Sequence, residues 1–275
     1  QREKAGILLE DEPDFSLQAL LERQKLFKRN NIIDVYKHIW TGGMPEIQEA
    51  DSEIREEYYN SYIETYLMRD ATEVGGISDT VKFNKFLTAC AALISSQINY
   101  STLAEAADIS EPTTKNWLNV LQGLGIIYLL PPFENNELKR LVKMPKLYFC
   151  DTALCAYLSK WLSVETLMNG AASGHYYENY VVMEFVKTYA YSKAKANLSY
   201  YRDSNAKEID IFIEENDMIH PIEIKKSANP DRREVKKYSV IDKTSLKRGE
   251  GGIVCMCEEV IPIDEDNCFI PSNII

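Results

Sequence analysis

The sequence predicts an α/β chain, helical through its N-terminal part and built on a mixed sheet in its C-terminal part. Three observations carry this. Apolar residues recur at helical spacing in several tracts before residue 125, and isoleucines alternate with acids through KEIDIFIEENDMIHPIEIKKS at 207–227. A basic helical tract then leads into GGIVCMCEEV and CFIPSNII, two further strands.

Length and composition narrow the class. At 275 residues the chain has room for two modules, since domains centre on roughly 100 to 150 residues. Hydrophobic residues make up 45% and charged ones 27%, and no apolar run approaches the roughly 20 residues of a membrane span, so a chain without membrane partners is expected. The six cysteines are scattered without a C-x-x-C pair, as suits a reducing cytoplasm, and Cys255 and Cys257 read as small apolar residues on a strand. His38, His175 and His220 form no motif. A net charge of −11 argues against a protein that coats nucleic acid. The charge is uneven: between 225 and 248 nine Lys or Arg face three acids, and Lys139, Arg140, Lys143 and Lys146 form a second basic cluster. Each patch reads equally as a solvated face or as a phosphate-contacting one.

The elements follow in order. Residues 14–28 and 31–40 read as helices, the second stopped by Gly42-Gly43 before Met44-Pro45-Glu46, a C-cap and corner. Over 51–70, Ile54, Tyr58, Tyr62 and Tyr66 share a helical row, expected to be core. An apolar helix at 81–97 precedes NYSTLAEAADISEPTTKNWLNVLQGLGIIYLLPPF. There, a short helix, a turn with Ser110 as N-cap and Pro112 behind it, a second helix, and a strand starting a hairpin make the order of a winged helix. The hairpin turn carries Lys139 and Arg140. The second helix offers Lys115 as its one cation, so this module reads as DNA-contacting or as a rigid spacer and protein-docking piece. Residues 151–161 form a linking helix, and 169–174 a linker. A helix through YYENYVVMEF, carrying Glu178, and a strand, LSYYRDS, lead to the hairpin at 207–227. The expected division is 1–80 as a helical linker, 81–160 as the winged-helix module and 170–275 as the mixed-sheet domain.

In that hairpin, period two puts Glu208 and Asp210 on one side of the first strand, and Glu223 and Lys225 on one side of the second. The motif is Asp-x12-Glu-x-Lys. Phosphodiester cleavage needs an activated water and neutralised phosphate charge. Mg2+ provides both and takes one or two carboxylates, a count that Asp210 and Glu223 meet. Lys225 would orient water or stabilise developing charge. The plain alternative is a cross-strand ladder of Glu and Lys worth roughly 0.2 to 1 kcal/mol per pair. In the basic helix beyond, Lys236 and Lys237 are DNA-contact candidates, with Lys115, Lys139, Arg140 and Lys143.

Glu178 on a helix, Asp210, and Glu223-x-Lys225 together resemble the PD-(D/E)xK restriction-endonuclease-like superfamily. Over nearly the whole chain, GGMPE, YIETYLMRD, WLNVLQGLGIIYLLPPF, KRLVKMPKLYFCDTAL, YYENYVVMEF, YYRDSNAKEIDIFI and IEIKKS are similar to the prokaryotic domains of unknown function that follow an AAA-type ATP-binding module. The resemblance implies a restriction-endonuclease-like fold in the C-terminal domain. It assigns Asp210 and Glu223 as metal ligands, Glu178 as an accessory ligand and Lys225 as charge stabiliser. It also implies that the chain is the C-terminal part of a larger protein whose ATP-binding part is its own partner. Beginning with Gln1 and containing no G-x-x-x-x-G-K-[ST] loop, the sequence fits that expectation, and ATP would be bound only there. Where active superfamily members often carry a polar residue such as Gln beyond the lysine, this chain has Lys226 and Ser227. Two functions are therefore expected: Mg2+-dependent cleavage of DNA, or a non-catalytic DNA-docking or protein-interaction module with a vestigial nuclease fold.

Overall fold

Asp51, Asp79, Asn99, Ser110 and Asp151 each stand just before a helix and accept a backbone N–H from its first turn with their side chains, so polar N-caps punctuate the helical half. The computed structural model describes residues 13–134 and 144–275. In chain order its helices are α1 (Leu17–Gln24), α2 (Ile32–Thr41), α3 (Ser52–Ser61), α4 (Met68–Glu73), α5 (Thr80–Ala92), α6 (Tyr100–Ala107), α7 (Glu111–Gly123), α8 (Thr152–Leu158), α9 (Val164–Asn169) and α10 (Ser173–Tyr191). A π-helical stretch, Tyr62–Leu67, joins α3 to α4. The strands are β1 (Ser96–Gln97), β2 (Ile127–Leu130), β3 (Lys146–Phe149), β4 (Asn197–Arg202), β5 (Glu208–Glu215), β6 (Met218–Lys225), β7 (Lys247–Arg248), β8 (Gly251–Cys255), β9 (Ile261–Pro262) and β10 (Asn267–Pro271), with a 3-10 segment, Arg232–Lys243, between β6 and β7. The chain is thus mixed helix and sheet, as an α/β reading requires.

It divides into two units that are not sequential. One contains 36–129 and 144–179, the other 1–35, 130–143 and 180–275. The expected segments 1–80, 81–160 and 170–275 follow the sequence, whereas contacts assemble each unit from separated stretches.

The first unit is mainly helical. Within it α5, β1, α6, α7, β2 and β3 follow one another, and the three strands form a sheet in the order β1-β3-β2. Trp117 of α7 packs edge-on against Phe83 and Phe86 of α5. The run from α3 to α4 buries Arg55, Tyr59, Ile63, Leu67 and Ala71, spaced four apart. The row expected to be core is therefore turned out: Ile54 and Tyr66 are 54% and 55% exposed, and Tyr58, Tyr62 and Tyr66 stack along the surface with ring centroids 6.2 Å apart. Asp151 ties the corner at Gly42-Gly43 to this run, accepting from the Gly43 N–H at 2.7 Å and the Tyr59 hydroxyl at 3.1 Å. Gly42 has φ +76, and a Cβ there would lie 2.6 Å from Asp151, so only glycine fits. The buried side chain of Asn179 accepts from the N–H of Phe149 at 2.7 Å and donates to its carbonyl at 2.9 Å, completing the hydrogen bonding at the end of β3.

The second unit is built on a mixed sheet in the order β4-β5-β6-β8-β10-β9, with β7 also pairing with β6. Pairs β4/β5, β5/β6 and β10/β9 are antiparallel; β6/β8 and β8/β10 are parallel. The hairpin turns on Asn216 and Asp217, both at positive φ, the geometry a two-residue hairpin loop demands. Alternation predicts one open face for β5, but Ile209, Asp210, Ile211, Phe212 and Ile213 are all buried. A strand with neighbours on both sides and cover on both faces loses its solvent face. One cover is the 3-10 segment, whose Val235, Tyr238 and Ile241 join Ile209, Phe212, Ile253 and Phe269 in one apolar cluster. The N-terminal stretch adds to this unit: Phe15 meets Phe185 with centroids 5.0 Å apart, Arg23 donates to the carbonyl of Ile274, and Asn273 donates to the carbonyl of Lys28.

Candidate functional site

Asp210 lies one residue below the point where β5 and β6 part. Their paired register runs from Glu215 opposite Met218 to Ile211 opposite Ile222. Beyond it β5 stays paired with β4, through Ile209 and Glu208, and β6 stays paired with β8, through Glu223, Ile224 and Lys225. In the fork the carboxylate of Asp210 replaces the missing ladder partner, its Oδ2 accepting the N–H of Ile224 at 2.8 Å. The two acids of the motif are both buried, Asp210 at 7% exposure and Glu223 at 2%.

Two cations meet Glu223. Lys225 Nζ lies 2.5 Å from its Oε1, as the Glu-x-Lys spacing on one strand face predicts. Lys237 Nζ, from the 3-10 segment, lies 2.5 Å from the same oxygen and 3.0 Å from Glu234. Glu234 is also 3.9 Å from Lys225. The other oxygen of Glu223, Oε2, is buried with no hydrogen-bond partner. Burial, and then the charge of Asp210, push the Glu223 carboxyl up to about 7 against the opposing pull of Lys237 and Lys225. For Lys225, burial alone would favour the neutral amine, but the charges of Glu223, Asp210 and Glu234 outweigh it and raise its pKa overall. The pair therefore departs from an ordinary salt bridge. The lysine is held as ammonium while the acid is held near the edge of ionisation, a condition that an added cation would relieve.

Asp210, Glu223 and Lys225 are thus brought together in one unit. Glu178 stands in the other, where its Oε1 receives Lys146 Nζ at 2.9 Å and the Tyr148 hydroxyl at 2.8 Å. Lys146, counted from sequence with the mid-chain basic cluster, is nearly buried in that pair, its side chain 4% exposed. Lys139, Arg140 and Lys143 lie outside the described residues. Lys115 reaches over the ring of Tyr100 at 5.0 Å, and Lys236 is exposed. Lys237, read from sequence as a DNA contact beside Lys236, is instead turned inward. A 3-10 segment repeats every three residues, which sets Glu234, Lys237 and Val240 in one row, whereas an α-helical period leaves Lys237 on the outer face. Among the described residues no group of three or more His, Cys, Asp or Glu is arranged to hold a metal ion, and no helix is long and apolar enough to cross a membrane.

Comparison with known proteins divides the chain by sequence order into two matched regions. Residues 32–165 match one domain of unknown function, DUF8612. Residues 173–275 match another, DUF4143. Two curated relatives, the uncharacterized protein Rv2008c of Mycobacterium tuberculosis and the uncharacterized protein Mb2031c of Mycobacterium bovis, are each 24% identical over 236 residues. The match takes in 84% of this chain and 51% of each relative, so the chain spans about half the length of the curated relatives it matches. No solved structure matches the chain.

Proposed function

We propose that the fork of β5 and β6 is a phosphodiester-cleaving site of the PD-(D/E)xK kind, acting on DNA with Mg2+. The observation that carries this reading is the pair of buried carboxylates, Asp210 and Glu223, meeting beside Lys225 with one buried oxygen of Glu223 unpartnered. A carboxyl raised by burial and by a neighbouring acid is the expected companion of a cation site. Two protein carboxylates suit Mg2+, which keeps several waters and takes the rest of its shell from phosphate oxygens. The donor set therefore fits the ion. When bound, Mg2+ supplies Lewis-acid polarisation and an acidified water. The chain's own residues do the rest. Asp210 is fixed by the Ile224 N–H, so one oxygen is pinned and the carboxylate cannot rotate freely. Lys225, with 38% of its side chain exposed, is the cation best placed to meet charge developing on a phosphate from the solvent side.

The helical unit supports a second part of the reading. The succession α5, β1, α6, α7, β2 and β3 with sheet order β1-β3-β2 supports reading this part as a winged helix, here proposed to dock DNA. A domain like the one matched at 173–275 is commonly found with AAA-type ATPases, which supports a cytoplasmic protein whose ATP-binding part gates this chain. The competing reading, a vestigial fold that docks DNA or protein without cleaving, has its own support in Lys226 and Ser227 following the lysine.

Calorimetric titration with Mg2+ and Mn2+, combined with plasmid nicking, separates the two. The wild type is expected to bind the ion, Asp210→Asn to lose at least tenfold in affinity, and Lys225→Ala to keep binding while nicking is abolished. An ion that does not bind, or an affinity indifferent to Asp210→Asn, defeats the nuclease reading in favour of the docking module.

A further inference from the structure

Glu223 uses its oxygens unequally. Oε1 meets both ammonium groups at 2.5 Å, while Oε2 is buried and without a hydrogen-bond partner. Lys225 arrives with the strand itself, two residues on. Lys237 comes from a different element, has only 16% of its side chain exposed, and has a second carboxylate within reach, Glu234 at 3.0 Å.

We propose that Lys237 is a positioning residue of this site, holding Glu223 while no divalent cation is bound and yielding it to the cation by moving onto Glu234. The inference rests on the metal-site reading above. Asp210, Glu223 and Glu234 carry three negative charges against the two of Lys225 and Lys237. A divalent ion added with both lysines in place turns this balance positive inside a largely buried cluster, where repulsion between close cations is poorly screened, whichever oxygen of Glu223 the ion takes. One ammonium must give way. Lys237 can do so without becoming an unpaired buried charge, because Glu234 is one-third exposed and already in contact. Lys225, 3.9 Å from Glu234 and 38% exposed, is the one left to face phosphate from the solvent side, whereas Lys237 already has its second carboxylate at 3.0 Å. The element carrying Lys237 is also suited to yielding: 3-10 hydrogen bonds are poorer than α-helical ones, and runs beyond three or four residues are uncommon, whereas this one has 12.

The test is Mn2+ binding measured by calorimetry at pH 8 on the 275-residue chain, comparing wild type, Lys237→Met and, as control, Lys236→Met at the exposed neighbour. Lys237→Met is expected to bind at least fivefold more tightly than wild type, and Lys236→Met to stay within twofold of it. Binding by Lys237→Met alone overturns the inference, because a lysine that yields lets the wild type bind as well. Equal or weaker binding by Lys237→Met overturns the inference and leaves the metal site standing, whereas no binding by either protein overturns both. A second measurement needs no variant: saturating Mn2+ should speed amide hydrogen exchange over residues 232–243 severalfold in the wild type. Unchanged or slowed exchange there overturns the inference.

Discussion

At the scale of single residues, Glu223 carries the sharpest consequence. Its carboxyl is raised to about 7 by burial and by Asp210, above the 4.5 of an exposed side chain. The folded state therefore favours the protonated form, and the stabilisation this brings is full below about pH 4.5 and lost as pH rises through about 7. Glu223→Gln, which cannot ionise, should flatten that loss: in chelator-containing buffer the variant should fall in stability between pH 5 and pH 8 by about 2 kcal/mol less than the wild type. Urea unfolding at the two pH values measures it, and parallel declines would refute the assignment. The acids and Lys225 were legible from sequence because strand alternation places Glu223 and Lys225 on one face. Lys237 was not, since its neighbours give no sign that the segment winds with a period of three rather than 3.6.

At the scale of elements, hydrogen bonds between them matter more than their boundaries. Asn179 of α10 serves both backbone groups of Phe149 at the end of β3. Asn179→Ala removes both partners at once inside the core, so a loss of about 2 to 3 kcal/mol is expected, with β3 losing its amide protection before α5 does. Asn179→Asp, which keeps the acceptor but sets a buried carboxylate against the Phe149 carbonyl, should cost at least as much. Thermal unfolding with residue-resolved hydrogen exchange checks both. The cap of α7 and the hairpin were readable because Ser110, Pro112 and the Asn216-Asp217 pair act locally. The helical run from α3 to α4 was read one row out of phase. Tyr58, Tyr62 and Tyr66 repeat every four residues, but so do Tyr59, Ile63 and Leu67, and the choice between rows depends on partners elsewhere, such as Asp151, which binds Tyr59. Burying Arg55 on the inner row, stacked over the Trp40 ring at 3.8 Å, further disguised it, because a charged residue ordinarily marks the outer face.

At the scale of the whole molecule, sequence order and spatial order part company. The sheet unit draws on residues before 36 as well as those after 179. Phe15 against Phe185, Arg23 on Ile274 and Asn30 on Cys255 are contacts that a segment beginning at 173 lacks. Removing residues 1–30 should therefore lower the unfolding temperature of the sheet unit by about 8 °C or more, taking the lost packing at about 2 kcal/mol and the usual scaling with size. Calorimetry of the trimmed chain checks this, and an unchanged transition would make those contacts incidental. No local pattern in the sequence announces such a division, since partners more than 150 residues apart leave no periodic trace.

The backbone passes from one unit to the other at 35/36, 129/130, 143/144 and 179/180. During synthesis, α1 emerges from the ribosome well before the strands that cover it. At about 5–20 residues per second the wait is on the order of 10 s, during which Phe15, Leu20 and their neighbours have nothing to bury against. A nascent chain of this protein must spend that interval with the inner face of α1 uncovered.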